Sequence, residues 1–141
     1  MMLQLPDRVH ASDDVSVFDR TTGLIPNPAV PGEFSIDLDA AWSSLMGMHG
    51  GYLAAVAIAA ASKLAGDRPI RTVTTSFLRP ALAKPATVSV DVVRAGRSIT
   101  NLSVNVTQAD KVVLISQVIA AEATESTAWD TAAKLDLVPF E

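Results

Sequence analysis

The sequence predicts an α+β domain in which a curved antiparallel sheet wraps around one long buried helix. The first observation is residues 49–66, where paired glycines open a helix that has almost no polar face. Its only charged residue is Lys63, near the end where a cation suits the helix dipole. The second observation is residues 70–123, which alternate apolar and polar side chains as strands do. A helix without a charged face must be covered on every side, and these strands supply the cover.

The structure of the segment before the helix is predicted from its prolines and glycines and from the periodicity of its apolar residues. Residues 1–31 are interrupted by prolines and glycine, which predicts an irregular segment with one short strand over 15–18. Residues 33–39 alternate apolar and polar side chains, which indicates a half-buried first strand. Asp39 or Ser43 is then placed to cap a short turn.

The helix and the strands after it have clear boundaries in the sequence. Residues 42–48 lead into the helix, which Gly66 and Pro69 end in the expected C-terminal fashion. Antiparallel strands are predicted over residues 70–79, 86–94, 98–108 and 111–123. The last strand carries apolar residues on both faces, which indicates that one face meets the helix and the other a second subunit. Residues 126–135 are predicted to form a short surface or interface helix.

One buried helix wrapped by about five antiparallel strands is the hotdog fold. A chain of 141 residues is long enough for one such core and too short for two. Residues 1–141 are therefore predicted to form a single domain. It has an irregular N-terminal segment over 1–31, a core over 33–123 and a C-terminal tail over 124–141.

Composition excludes several functions. A net charge of −4 disfavours nucleic acid or an anionic membrane as the main partner. The chain has no cysteine, and its histidines, His10 and His49, form no metal motif, so neither a metal nor a separate cofactor is expected. The helix would be about 22 Å long, short of the ~30 Å of a bilayer core. The N-terminus lacks a signal-peptide pattern, and we expect a cytoplasmic location.

Four short motifs follow one another in the chain. They are HGGY (49–52), SFLRP (76–80), VSVDVVRAGRS (88–98) and VTQADKVV (106–113). In this order they resemble the N-terminal half of the double-hotdog, TesB-like acyl-CoA thioesterases. The resemblance covers about residues 33–123. It implies a hydrolase of lipid metabolism that cleaves the thioester of a fatty or aromatic acyl-CoA.

The same resemblance identifies what this chain lacks. In the double-hotdog family the catalytic acid and its polar helpers lie in the second repeat. Related single-hotdog thioesterases with an HGG motif carry an aspartate or glutamate about two turns into the helix. Residues 56–58 occupy that region here, and none of them is acidic.

Candidate catalytic residues lie around the start of the helix. Gly50 and Gly51 would let a substrate carbonyl approach the backbone, and the N–H of Gly51 or Tyr52 would polarise it. His49 could accept a proton or bind the thioester, and Asp39 could act as base across a dimer interface, with Asp37 as the other nearby acid. The structural alternatives are close helix packing for the glycines, a hydrogen-bonding histidine and solvated acids.

Candidate substrate-binding residues lie farther along the chain. Arg94, Arg97 and Ser98 flank a turn at Gly96 and could hold the phosphates of coenzyme A. Their alternative is an ordinary solvated turn.

Aromatic and amide side chains complete the set of candidates. Tyr52, Phe77 and Trp42 could line an acyl tunnel, or they could be plain core. Gln117 and Gln108 could position water, or they could face solvent or a subunit.

The leading hypothesis is an acyl-CoA thioesterase-like protein with its site at a subunit interface. A lone repeat would then form a homodimer or a dimer of dimers, or would pair with a second hotdog subunit. The main alternative is a non-catalytic subunit that binds acyl-CoA or acyl carrier and pairs with a separate catalytic hotdog. A hotdog hydratase would need an Asp/His pair near the helix, and His49 precedes the helix instead.

Overall fold

A computed structural model describes residues 15–123. The helices in this range are α1 (Val17–Thr21), the 3₁₀ turn (Ala40–Trp42) and α2 (Gly50–Leu64). The strands are β1 (Ile25–Pro26), β2 (Glu33–Asp37), β3 (Ser43–Ser44), β4 (Gly47–Met48), β5 (Ile70–Phe77), β6 (Pro85–Ala95), β7 (Ile99–Gln108) and β8 (Lys111–Ala121). The predicted tail over 124–141 and its helix lie outside the described residues.

Six of these strands form one antiparallel sheet in the order β1-β2-β6-β7-β8-β5, and β3 and β4 form a separate hairpin. The predicted hotdog arrangement is confirmed, with β1 as the strand beyond the expected five. The turn between β7 and β8 has positive φ angles of 48° at Ala109 and 60° at Asp110. Two consecutive positive φ angles are typical of a tight hairpin turn, which is where the sequence predicts one.

The helix α2 packs on the sheet through one face. On that face Leu53, Val56, Ala57 and Ala60 are buried. Its sheet-side neighbours in the same core are the fully buried side chains of the central strands: Val88, Leu102, Val104, Val106, Leu114 and Val118. Because alanine is small, the helix axis can lie close to the sheet, which explains why this helix is rich in alanine.

The opposite face of α2 is only partly covered by residues 15–123. Gly51 and Ser62 are exposed, and Ala54, Ala55 and Ile58 are only partly buried. These positions recur at helical spacing and form one stripe along α2. The expectation that this helix is buried on every side is therefore wrong for the described chain, because a single sheet curves around only part of a helix.

Residues 15–18, predicted as a strand, do not form one: helix α1 begins at Val17, with Ser16 as its N-cap. The Ser16 side chain accepts a hydrogen bond from the Asp19 N–H at 3.1 Å and donates to the Asp19 carboxylate at 2.7 Å. This reciprocal cap satisfies a backbone donor that a helix start leaves free, and the local bonds outweigh the two-residue alternation of valines.

The two edges of the sheet differ. The edge strand β1 has two residues and contains Pro26, which cannot donate to a further strand. The other edge strand, β5, has eight residues and no proline. The Leu78 N–H donates to the Val113 carbonyl at 2.9 Å, so antiparallel alternation directs the backbone groups of Val73, Thr75 and Phe77 away from β8. No strand within residues 15–123 pairs with these groups, which form an open edge of the described sheet.

Among residues 15–123, no helix has both the length and the apolar character needed to cross a lipid bilayer.

Candidate active site

His49 caps the N-terminus of α2. Its Nδ1 accepts a hydrogen bond from the Gly51 N–H at 3.2 Å, and its carbonyl accepts the first helical bond from the Leu53 N–H, also at 3.2 Å. Its own N–H donates to the Trp42 carbonyl at 2.8 Å. These three bonds fix the point where the chain turns into the helix, which is why the HGG motif stands at this boundary.

Two backbone donors remain at this end of the helix. The Gly51 N–H, predicted to polarise a substrate carbonyl, is already bonded to His49. Within residues 15–123, the N–H groups of Gly50 and Tyr52 have no acceptor. Free donors at the positive end of a helix dipole favour an anion or a polarised carbonyl oxygen.

The cap also sets the tautomer of His49. Because Nδ1 accepts a hydrogen bond from the Gly51 N–H, it holds a lone pair, and the proton of the neutral ring lies on Nε2. The side chain is exposed. His49 in this form offers an N–H donor toward solvent, and Nδ1 can accept a proton only by giving up the cap.

An open groove of about 360 Å³ lies beside Gly50. It is lined by Met48, Gly50, Leu53 and residues 77–81. A Cβ atom at Gly50 would lie 3.2 Å from Cζ of the Phe77 ring, so the glycine keeps this side of the groove open. Two predicted site residues, Gly50 and Phe77, are thereby brought together, and Phe77 is 54% exposed.

The Asp39 carboxylate is partly committed to structure. Its Oδ1 accepts from the Ala41 N–H at 2.8 Å and caps the 3₁₀ turn, which confirms the predicted capping role. Within the described residues Oδ2 has no hydrogen-bond partner. The backbone N–H of Asp39 donates to the Tyr52 hydroxyl at 3.4 Å, which places Asp39 near the first turn of α2.

Tyr52 and Trp42 brace α1 against α2. Their rings stack with centroids 5.5 Å apart and planes 5° apart. The Tyr52 hydroxyl donates to the Thr21 carbonyl at 2.7 Å, and the Trp42 indole N–H donates to the Thr21 hydroxyl at 2.9 Å. Burial raises the pKa of Tyr52, and the nearby Asp39 carboxylate adds to the rise while the Asp39 N–H opposes it. The polar groups of both side chains are thus engaged within the domain.

The predicted anion-binding residues surround one cavity. A space of about 220 Å³ is lined by Arg94, Gly96, Arg97 and Ser98, together with Ile99 and Asn101. The Arg68 guanidinium donates to the Arg97 carbonyl at 2.6 Å, and Arg68 follows the C-terminus of α2. Because α2 has 15 residues and is about 22 Å long, this cavity and Gly50 lie at opposite ends of the helix.

The glutamines are placed away from the groove or are engaged elsewhere. Gln117 follows the buried Ser116, so its side chain lies on the sheet face opposite α2, where it donates to the Ser103 hydroxyl at 3.1 Å. The Gln108 amide bonds both the N–H and the carbonyl of Leu82, at 2.8 and 3.0 Å, and so holds the loop before β6.

One polar pair at the helix-facing side of the sheet was missed by sequence reasoning. The hydroxyls of Thr75 and Ser116 lie 2.8 Å apart, and Ser116 is fully buried. The alternation of β8 could have found it, because Ser116 shares its face with the core residues Leu114 and Val118.

The fold and the helix-end groove define the class, a hotdog domain with an open groove at the N-terminus of its long helix. Residues 38–128, more than half of the chain, match the sequence family described as the acyl-CoA thioesterase N-terminal domain. The chain belongs to this family. No curated protein matches the sequence.

Solved structures share the fold. A thioesterase II candidate from Thermobifida fusca YX is 23% identical with a TM-score of 0.75, over 86% of this chain and 45% of that one. A hot dog fold protein of unknown function from Alicyclobacillus acidocaldarius is 24% identical with a TM-score of 0.71, over 89% and 47%.

An acyl-CoA thioesterase II, TesB2, from Mycobacterium marinum is 17% identical with a TM-score of 0.70, over 88% of this chain and 45% of that one. This chain therefore spans about half the length of the three solved proteins.

Proposed function

We propose that this domain takes part in hydrolysing the thioester of a fatty or aromatic acyl-CoA, at a site shared between two hotdog domains. The observation that carries the proposal is the Gly50 N–H, which lines an open groove and has no acceptor within residues 15–123, with the equally unbonded Tyr52 N–H in the same turn of the helix. A thioester carbonyl gains negative charge as water attacks it, and donors fixed in advance lower the energy of that state. Membership of the acyl-CoA thioesterase family supports this substrate class.

The opposite ends of α2 support a shared site. Gly50 stands at one end of the helix, and the cavity formed by Arg94 and Arg97 stands at the other. If β5 pairs antiparallel with β5 of a second copy through Val73, Thr75 and Phe77, the two copies of α2 run in opposite directions. The arginine cavity of one copy then lies at the same end of the dimer as Gly50 of the other.

Each group has a defined task in the reaction. Water attacks the thioester carbon while its proton passes to the carboxylate of Asp39, which lies near the first turn of the same α2 and has one oxygen without a hydrogen-bond partner in the described residues. The N–H groups of Gly50 and Tyr52 hold the oxyanion, and the His49 Nε2–H donates a further hydrogen bond. The C–S bond then breaks, and the departing thiolate takes the proton from Asp39, which leaves free acid and coenzyme A. Arg94 and Arg97 hold the phosphates of coenzyme A.

Purified protein and a panel of acyl-CoAs, with released thiol measured colorimetrically, test the proposal. The key variant is Gly50→Ala, whose Cβ would narrow the groove in front of the donors without backbone strain, since Gly50 does not have a positive φ. We expect turnover to fall about 100-fold while the protein stays as stable as before or becomes more stable. Ser62→Ala on the exposed face of the same helix is the matched control and should leave turnover unchanged.

Mixing two weakened variants tests the shared site. Gly50→Ala and the double variant Arg94→Ala with Arg97→Ala should each hydrolyse acyl-CoA poorly. After they are unfolded and refolded together, half of the dimers should hold one complete site, and the mixture should recover about a quarter of wild-type activity. A mixture no more active than its components would assign both sets of residues to one chain.

A second candidate function is an acyl-CoA or acyl-carrier binding subunit without catalysis. It is favoured by one observation, since α2 carries no carboxylate and its only charged residue is Lys63. Binding of acyl-CoA by calorimetry with no release of thiol would favour this function. Activity that appears only after a second, acid-bearing hotdog chain is added would assign the domain to a hetero-oligomer.

A further inference from the structure

A short hairpin arm, residues 43–48, projects just before α2. It consists of β3, a two-residue turn and β4. The residues at its tip, Leu45 and Met46, are 98% and 77% exposed, more than any other large apolar residue in the described part of the chain. A single exposed apolar side chain is ordinary on a protein surface. Two adjacent exposed apolar side chains at the end of a projection indicate a contact surface.

The arm is held in place at its base. The Met48 N–H donates to the Ala81 carbonyl at 2.8 Å, and the Ser44 hydroxyl donates to the Gly47 carbonyl at 2.8 Å. Gly47 has a φ of 129°, and a Cβ there would lie 2.8 Å from the Ala81 oxygen, so only glycine fits. A preformed arm loses little conformational freedom when its tip is covered, which favours binding.

The arm and the two chain segments beside it carry no charged side chain. Residues 40–62 contain no aspartate, glutamate, lysine or arginine, and the same is true of residues 72–78 along β5. The whole chain carries a net charge of −4, so two copies repel one another over much of their surface. The arm can therefore meet a second copy without adding a charged side chain to the contact. The cations that flank the uncharged part of β5, Arg71 and Arg79, donate to the carbonyls of Ala121 and Val112 in their own copy.

The arm adjoins the open edge of the sheet. Met48 at its base lines the same groove as Phe77 and Leu78, at the end of β5. Phe77 and Leu78 are themselves 54% and 48% exposed. The arm, the groove and the open edge are therefore contiguous, and Arg79 is the charged residue of the groove.

We infer that the arm is a dimer clasp, with Leu45 and Met46 of each copy packing on the other copy. The inference rests on the antiparallel β5 pairing proposed above, but not on hydrolysis. In a two-fold dimer both arms reach across, so each dimer buries four such side chains. Three of the solved relatives are each about twice as long as this chain, a length that accommodates a second domain of this size.

Sedimentation velocity over a range of protein concentrations tests the clasp. The dimer dissociation constant of the double variant Leu45→Ser with Met46→Ser should be at least about 100-fold higher than that of wild type. Both positions are already exposed, so the variant should fold normally, and circular dichroism checks this. Ile25→Ser, at a 67% exposed position on the opposite edge, is the matched control and should dissociate like wild type.

A crosslinking experiment sharpens the result, because the chain has no cysteine of its own. A Leu45→Cys variant labelled with a short photoactivatable crosslinker should yield covalent dimers, with the attachment site found by mass spectrometry on the second copy.

Two outcomes would overturn the inference. One is unchanged dimer affinity in the double variant together with an altered dependence of acyl-CoA binding on chain length, which would make the arm a cover for the acyl group. The other is a wild-type chain that stays monomeric at every concentration. Because neither readout requires turnover, a failure of the clasp is distinguishable from a failure of the proposed hydrolysis.

Discussion

The two ends of helix α2 are built in opposite ways. At the N-terminal end, two backbone N–H groups have no acceptor in the described chain, and an open groove lies beside one of them, that of Gly50. At the C-terminal end, Gly66 takes a left-handed φ of 69° and Arg68 bonds to three other residues. One end leaves hydrogen-bonding capacity free for a ligand, and the other uses it to hold the fold. Substitutions at the two ends should therefore affect different properties.

The largest stability effect is expected at the C-terminal end, from Arg68→Ala. The guanidinium donates to the Thr100 hydroxyl at 2.7 Å and to the Arg97 carbonyl at 2.6 Å, and forms an ion pair with Glu122 at 3.4 Å. Thr100 is buried, so its hydroxyl would lose its donor away from water. We expect a loss of about 2–3 kcal/mol in the free energy of unfolding, measured by urea denaturation.

The control for this change is Arg68→Lys, which keeps the cation but not the forked donor. It should recover only part of the loss, since an ammonium group cannot reproduce both bonds in the same geometry. If the free energy of unfolding of Arg68→Ala lay within about 0.5 kcal/mol of the wild-type value, the C-terminal end of α2 would not be the stabilising end. The contrast between the two helix ends would then not hold.

The fold of this region was largely predictable because its signals are local. Gly66 and Pro69 mark the end of the helix, and alternation in residues 70–123 predicts four strands whose bounds agree with the structure to within two residues. The helix α1 was missed because the alternating valines of residues 15–18 also suit a strand. The helix depends instead on the cap that Ser16 and Asp19 form. The weak signal was the serine three residues before an acid.

The arrangement of the site was less predictable, because it depends on topology. Arg94, Gly96, Arg97 and Ser98 are neighbours in sequence, so their shared cavity follows from one hairpin turn. Their separation from Gly50 by the length of α2 follows from strand order, which no local pattern gives. For the same reason, the engagement of Gln108 by the loop at Leu82 could not be foreseen from its strand position.

A smaller stability effect, with a large functional one, is expected at the N-terminal end from His49 substitutions. His49→Ala removes the cap on the Gly51 N–H and should cost about 1 kcal/mol in the free energy of unfolding. His49→Asn supplies a cap acceptor again and should recover that stability. It does not restore the Nε2–H donor, so thioester hydrolysis should stay about 100-fold below wild type in both variants. Recovery of turnover along with stability in His49→Asn would make His49 a cap and nothing more.

The smallest effect concerns alkaline pH and the brace beneath the N-terminal end. Burial raises the pKa of Tyr52 above 10.0, and the Asp39 carboxylate adds to the rise. Above pH 10 the unfolded chain therefore loses this proton while the folded chain keeps it, so the folded state binds more protons and stability falls as pH rises. Tyr52→Phe should flatten this fall, at a cost of about 1 kcal/mol at neutral pH for the lost bond to the Thr21 carbonyl.

The chain contains a single tyrosine, so its ionisation can be followed directly by the absorbance of tyrosinate. The folded protein should ionise at a higher pH than the same protein unfolded in urea, and the difference between the two curves should account for the slope of stability against pH. Identical curves in the folded and unfolded states would mean that the ring is hydrated. The brace would then fail to hold the helix end, and the free donors at Gly50 and Tyr52 would lack the fixed geometry that stabilising an oxyanion requires.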